Sequence, residues 1–139
     1  MKVTFDSIAI GFEISNEEKV RGWINKIVRS EKRRIGEIHI IFVESSEIQK
    51  INIKFLGHKF PTDVITFNKS FLNKISGEIY ISIDMVKQNS LKFSKNNFKK
   101  ELNRVIVHGI LHLLGYNDKN NDEKNLMRKK ENEYLSYLE

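Results

Sequence analysis

The sequence predicts an α+β fold, a single domain over residues 1–139 in which a mixed sheet of about four strands packs against helices. Three observations lead there. Short runs alternate apolar and polar residues at the strand period, longer runs repeat apolar residues every three to four positions, and no repeat, linker or low-complexity tract divides them. The 139 residues suit one domain. A chain of this length buries roughly two-thirds of its unfolded surface, enough to fold without a disulfide or a structural metal.

Taken in order, Ile8, Ile10, Phe12 and Ile14 alternate with Ala9, Gly11 and Glu13, which predicts a first strand. Ser15 and Glu18 have capping-box spacing, and Val20, Trp23, Ile24, Ile27 and Val28 then share one helical face, which places Trp23 in the core. Gly36 breaks that helix, and Glu37 to Val43 reads as a strand apolar on nearly both faces, with His39 in a structural role. A short helix follows from Ser46 to about Phe55. Gly57 and Pro61 bracket a loop, and the β-branched run from Thr62 to Phe67 predicts a strand. Residues 68–76 read as a loop. Ile79, Ile81 and Ile83 alternate with Tyr80, Ser82 and Asp84, the clearest strand of all, and a modest helix should run from Met85 to about Leu91. From Phe98, the residues Leu102, Val105, Ile106 and Ile110 return to helical spacing and continue to Leu113. Gly115 supplies the residue that best tolerates a left-handed helix end. Asp122 can cap a last helix carrying Leu126, Met127, Tyr134, Leu135 and Leu138.

Composition excludes several functions before any motif is considered. The chain has no cysteine, so a disulfide framework, a cysteine zinc ribbon, an iron–sulfur site and a cysteine nucleophile are all ruled out. Its 40% hydrophobic and 30% charged residues are those of a soluble globular protein. No stretch approaches the roughly 20 apolar residues of a membrane span, and the first residues lack the apolar core of a secretory signal. A cytoplasmic location with no membrane partner is expected. The net charge of +6 favours an anionic partner. Residues 19–34 hold seven positive charges and one negative, residues 87–104 hold six and one, and residues 119–139 balance at five each. Two local excesses suit an electrostatic footprint better than a uniform lysine bias does.

The chemistry lies in Val107 to Asp118. His108 and His112 are four apart on a predicted helix, so their rings project from one face about one turn apart. Gly115 ends the helix, and the returning chain brings Asp118 six residues beyond His112. The pattern His-x-x-x-His-x-x-Gly-x-x-Asp has metzincin ligand spacing with a carboxylate as third ligand. Three protein ligands leave a position open for water, the stoichiometry of a catalytic site. One zinc ion is expected, although His₂Asp ligation also admits nickel. The competing explanation for either histidine is a satisfied core residue. Asp122 is a rival third ligand. A zinc protease carries glutamate directly after the first histidine as general base; here Gly109 stands there. The spacing therefore indicates a metal hydrolase that is not a conventional peptidase, and Gly109 should open space beside the metal for a bulky substrate.

The run His-Gly-Ile-Leu-His-Leu-Leu-Gly-Tyr (108–116) resembles the signature of the YbeY family, metal-dependent endoribonucleases of ribosomal RNA maturation and quality control. Pro-Thr-Asp-Val-Ile-Thr-Phe (61–67) is similar to the family's Pro-Thr-Asp-Val-Leu-Ser-Phe strand, and Gly-Glu-Ile-Tyr-Ile-Ser (77–82) to its Gly-Asp-Ile-x-Ile-Ser strand. The resemblance implies hydrolysis of phosphodiester bonds in single-stranded RNA, with ribosomal RNA as target and the ribosome as partner. Two departures stand out. The family usually has histidine where this chain has Asp118, and an arginine where this chain has Leu56. An arginine can clamp a phosphate bidentately and leucine cannot. His58 is the candidate catalytic substitute, and Lys59 beside it is a candidate RNA contact. Lys95, Lys99 and Lys100, just ahead of the histidine helix, are candidate RNA contacts, and Tyr116 is suited either to base stacking or to packing. An RNA- or ribosome-binding protein with a vestigial metal site and a metallohydrolase of other substrates stay open as alternatives.

Overall fold

Along β2 (Arg34–Val43), Ile38, Ile40 and Phe42 point to one side and His39, Ile41 and Val43 to the other. Such a strand belongs inside a sheet covered on both faces. Parallel neighbours flank it, β1 (Lys2–Ser7) on one side and β4 (Lys74–Ser82) on the other, while β3 (Val64–Asn68) pairs antiparallel with β4 at the edge. The order is β1-β2-β4-β3, a mixed four-stranded sheet. The computed structural model describes residues 2–57 and 62–138, so the candidates His58 and Lys59, like Pro61, lie outside the described residues.

The main core lies on the Ile38 side. Trp23, Ile24 and Ile27 of α1 (Glu17–Ser30), Ile106 and Ile110 of α4 (Phe98–Leu113), and Met127 and Tyr134 of α5 (Asn121–Leu135) pack there against Ile38, Ile40, Ile79 and Ile81. Full burial of each such side chain contributes roughly 1.5–3 kcal/mol. Trp23 is in the core as expected, its indole N–H donating to the Tyr134 carbonyl at 2.8 Å. On the opposite side Ile41, Val43 and Ile65 form a smaller cluster with Ile48 of α2 (Ser45–Ile51). That helix runs on as a π-helical segment, Asn52–Leu56, up to Gly57. Between β4 and α4 lies α3 (Ile83–Phe93), and a 3₁₀ turn, Ser136–Leu138, follows α5. No helix of the described residues is long and apolar enough to cross a membrane.

Several elements differ from the sequence-based expectation. The first strand is Lys2–Ser7, not Ile8–Ile14. The chain leaves the ladder at Ala9 (φ 60°), and Ile10, Phe12 and Ile14 then lie against the core, Phe12 on the Phe42 ring at 4.9 Å. Alternation there reports alternate coverage of side chains without a paired backbone. The Ser15–Glu18 capping box is not formed: Asn16 precedes α1 in a left-handed conformation without a side-chain cap, and Glu17 and Glu18 pair with Arg21 instead. Strand β4 begins at Lys74, inside the expected loop, because Gly77 interrupts the apolar alternation that Ile75 continues. Ile83 opens α3, capped by the Ser82 hydroxyl. Asp122 is not the cap of α5; the Asn120 side chain accepts from the Glu123 N–H at 2.8 Å.

Candidate metal centre

The apolar face of α4, Leu102, Val105, Ile106, Leu113 among it, is buried, which fixes the helix on the sheet and turns His108 and His112 toward its open side. At its C-terminus the Gly115 N–H donates to the His112 carbonyl and the Tyr116 N–H to the Leu111 carbonyl, both at 3.0 Å. This Schellman arrangement needs a left-handed residue, and Gly115 has φ +103°. The Asn68 amide at the end of β3 donates to the His112 and Leu113 carbonyls, each at 3.3 Å, tying the helix end to the sheet edge. The chain then reverses and delivers Asp118.

The three side chains converge. The two Nε2 atoms are 3.1 Å apart, and Asp118 Oδ2 lies 3.3 Å from each. Their other ring nitrogens are engaged. His112 Nδ1 lies 3.0 Å from the Tyr116 carbonyl, which only accepts, so this nitrogen carries the proton. His108 Nδ1 lies 2.7 Å from Glu131 Oε2 and donates to that carboxylate. In the neutral rings both Nε2 atoms are then lone pairs, facing each other and a carboxylate oxygen with no hydrogen between them. A cation is what such a set accommodates. Tetrahedral bonds of about 2.0–2.1 Å separate donors by about 3.3 Å, so the spacing fits a zinc-sized ion. His108 and His112 are 22% and 23% exposed, leaving the point of convergence open to a ligand.

Glu131 is the site residue that motif spacing does not show. It lies on α5, 23 residues from His108, buried, and takes Arg104 Nη1 at 3.0 Å on its other oxygen. Burial alone would raise its pKa, but the His108 hydrogen bond and charge, with Arg104, outweigh it and hold the group below the ordinary value. For His108 burial works downward, and the bond and charge of Glu131, aided by Asp118 and Asp63, lift it above the ordinary value. Burial and the neighbouring His108 push His112 down. One histidine is thus backed by a carboxylate and the other by a carbonyl, partners that fix tautomer and ring orientation in metal sites.

The other candidates are dispersed. Gly109 opens no space beside the histidines: a Cβ there would lie 2.8 Å from Ile79 Cγ2, so the glycine serves the close approach of α4 to β4. Asp122 is exposed in the first turn of α5 and outside the converging group. Lys99 and Lys100 line a separate groove at the other end of α4, shared with Phe12, Lys19 and Leu138, and Lys95 sits in the loop before it. Among the described residues, the cations lining the cleft at His108 are Arg104, Lys124 and Arg128. Leu56 ends the π-helical segment, 42% exposed. Tyr116 packs, its hydroxyl donating to Glu31 Oε1 at 2.7 Å. His39 Nδ1 lies 2.6 Å from the Thr4 hydroxyl across the sheet.

The family model described as Endoribonuclease YbeY matches residues 7–139. The chain belongs to the YbeY family. Among its relatives, the Endoribonuclease YbeY of Christiangramia forsetii is 41% identical over 125 residues, covering 90% of this chain and 87% of that protein. The Endoribonuclease YbeY of Azobacteroides pseudotrichonymphae is 42% identical over 138 residues, 99% of each. A solution structure from Thermotoga maritima superposes with a TM-score of 0.65 at 30% identity, covering 97% of this chain and 87% of that one. The mixed sheet with a histidine-bearing helix near the C-terminus is therefore this YbeY chain's fold, and a His/His/Asp group capable of holding a metal ion sits on it.

Proposed function

We propose that this chain is a metal-dependent endoribonuclease that cuts single-stranded RNA, with ribosomal RNA as its target and the cytoplasm as its place of action. The observation that carries this reading is the convergence of His108 Nε2, His112 Nε2 and Asp118 Oδ2 in a member of the YbeY family. These three side chains hold the ion, and zinc is the ion we assign, since imidazole and carboxylate donors at this spacing suit it. When bound, the ion supplies Lewis acidity to a phosphodiester and an acidified water. The chain's own residues do the rest. Glu131 and the Tyr116 carbonyl orient the two rings, and the cleft between α4 and α5 receives the strand. Lys99 and Lys100, about 12 Å and more along α4 from His108, meet RNA only where it leaves that cleft.

Elemental analysis of the purified protein tests the assignment and separates zinc from nickel. The expected content is one ion per chain, with cleavage of a labelled single-stranded RNA that stops on chelation and returns with metal. His112→Ala should lose metal stoichiometry and cleavage together and still unfold cooperatively. Full metal retention by that variant, or cleavage indifferent to chelation, would sink the reading.

A further inference from the structure

The cleft beside the histidines encloses about 470 Å³ between α4 and α5. Asp63, Glu101, Asp118 and Glu131 give it four carboxylates, a lining that repels a phosphodiester unless cations oppose it. Arg104 is already committed, its two amino groups held at 3.0 Å by Glu131 and by Asn132 Oδ1. Lys124 and Arg128 are different. Both are exposed, and neither side chain makes a hydrogen bond or ion pair with any described residue. Both also share a face of α5 with Glu131, Arg128 about one turn before it and Lys124 about two. Because Glu131 holds His108 Nδ1 at 2.7 Å, the root of Arg128 stands one helical turn from the residue that backs His108, on the wall of the cleft that His108 and Asp118 also line.

Resting on the endoribonuclease reading, we propose that Arg128 holds the phosphodiester presented to His108, His112 and Asp118, with Lys124 on the next phosphate outward. A guanidinium offers a planar fork of N–H donors that matches two phosphoryl oxygens at once, and this one breaks no existing pair to do so. Hydrolysis adds negative charge to those oxygens on the way to the transition state, so the fork binds more strongly there than in the ground state. Lys124, a mobile point charge, adds attraction along the strand without that geometry.

The test uses Arg128→Gln and Arg128→Lys in the full chain, with thermal unfolding and metal content checked first; the position is exposed, so both variants should match the parent. Binding of a fluorescent single-stranded RNA is followed by anisotropy in chelator, across a range of salt, and cleavage is measured after metal is restored. Arg128→Gln should weaken binding about tenfold, the worth of a charge-assisted contact. The slope of log affinity against log salt should flatten by about 0.7 for one lost phosphate contact, and kcat should fall as well as affinity. Arg128→Lys should recover the slope but not the full kcat, a split that a merely structural arginine would not produce. An Arg128→Gln variant with parental slope and parental kcat/KM overturns the assignment while leaving the endoribonuclease reading intact. A parent protein that neither binds nor cuts single-stranded RNA overturns that reading and this inference with it.

Discussion

Glu131 is a carboxylate at an apolar position. It falls four residues after Met127 and three before Tyr134, on the stripe by which α5 packs, and is only 5% exposed. A buried charge is costly unless paired, and Glu131 is paired twice, with His108 and Arg104. Glu131→Gln keeps the shape and removes the charge that orients the imidazole. Metal affinity should fall about ten- to a hundredfold, the usual loss for a partner of this kind, as read by competition with a chromophoric chelator. Unchanged affinity would mean that packing alone orients His108. The sequence shows His108, His112 and Asp118 because their spacing is local and a helix plus one turn brings them together. Glu131 offers only a weaker signal, an acidic residue interrupting an apolar stripe, and its partner lies on another helix.

At the scale of elements, α4 was legible almost to the residue, since its apolar spacing from Phe98 to Leu113 and Gly115 after it agree. The N-terminal strand was not, because its residues Lys2 to Ser7 bury little beyond Val3 while the unpaired segment after it alternates more cleanly. Gly109 shows why a motif residue can mislead about its role. Its neighbours in sequence are site and core residues, but its own contact is with β4. Alanine there would gain about 1 kcal/mol of helix propensity and would drive a methyl to 2.8 Å from Ile79 Cγ2 and 3.0 Å from Cδ1. Overpacking of this kind costs typically about 1–3 kcal/mol. Gly109→Ala should therefore be less stable than the parent by about 1 kcal/mol, the middle of the net range of roughly 0–2 kcal/mol, seen as a lower denaturant midpoint with the slope unchanged. A variant as stable as the parent would show that α4 can lift from the sheet without loss.

For the whole molecule, the linking residue is Glu31, just past α1. It accepts from the Tyr116 hydroxyl at 2.7 Å, from the Tyr134 hydroxyl, and from Lys130 Nζ at 3.3 Å. These contacts span 85, 103 and 99 residues of sequence, so no local pattern announces them. They tie α1 to α5 and to the turn that carries the chain from α4 to Asp118. Burial pulls the Glu31 pKa upward, but the bonds from Tyr134 and Tyr116 and the charge of Lys130 outweigh it and hold the carboxyl below its ordinary value. A group depressed in the folded state stabilises fully above its unfolded pKa, near 4.5, and loses that contribution as pH falls through the folded value. Glu31→Gln removes the titrating charge but keeps an acceptor. With chelator present, so that metal binding adds nothing, the variant should be less stable than the parent by about 1–3 kcal/mol at pH 7. The difference should shrink steadily as the pH is lowered below about 4.5 toward the parent's depressed folded pKa. Denaturant unfolding at a series of pH values reads both numbers. A gap that stays constant down to pH 3 would mean that the three partners recognise the shape of the group and not its charge, and the tie between α1 and the site would then be one of packing.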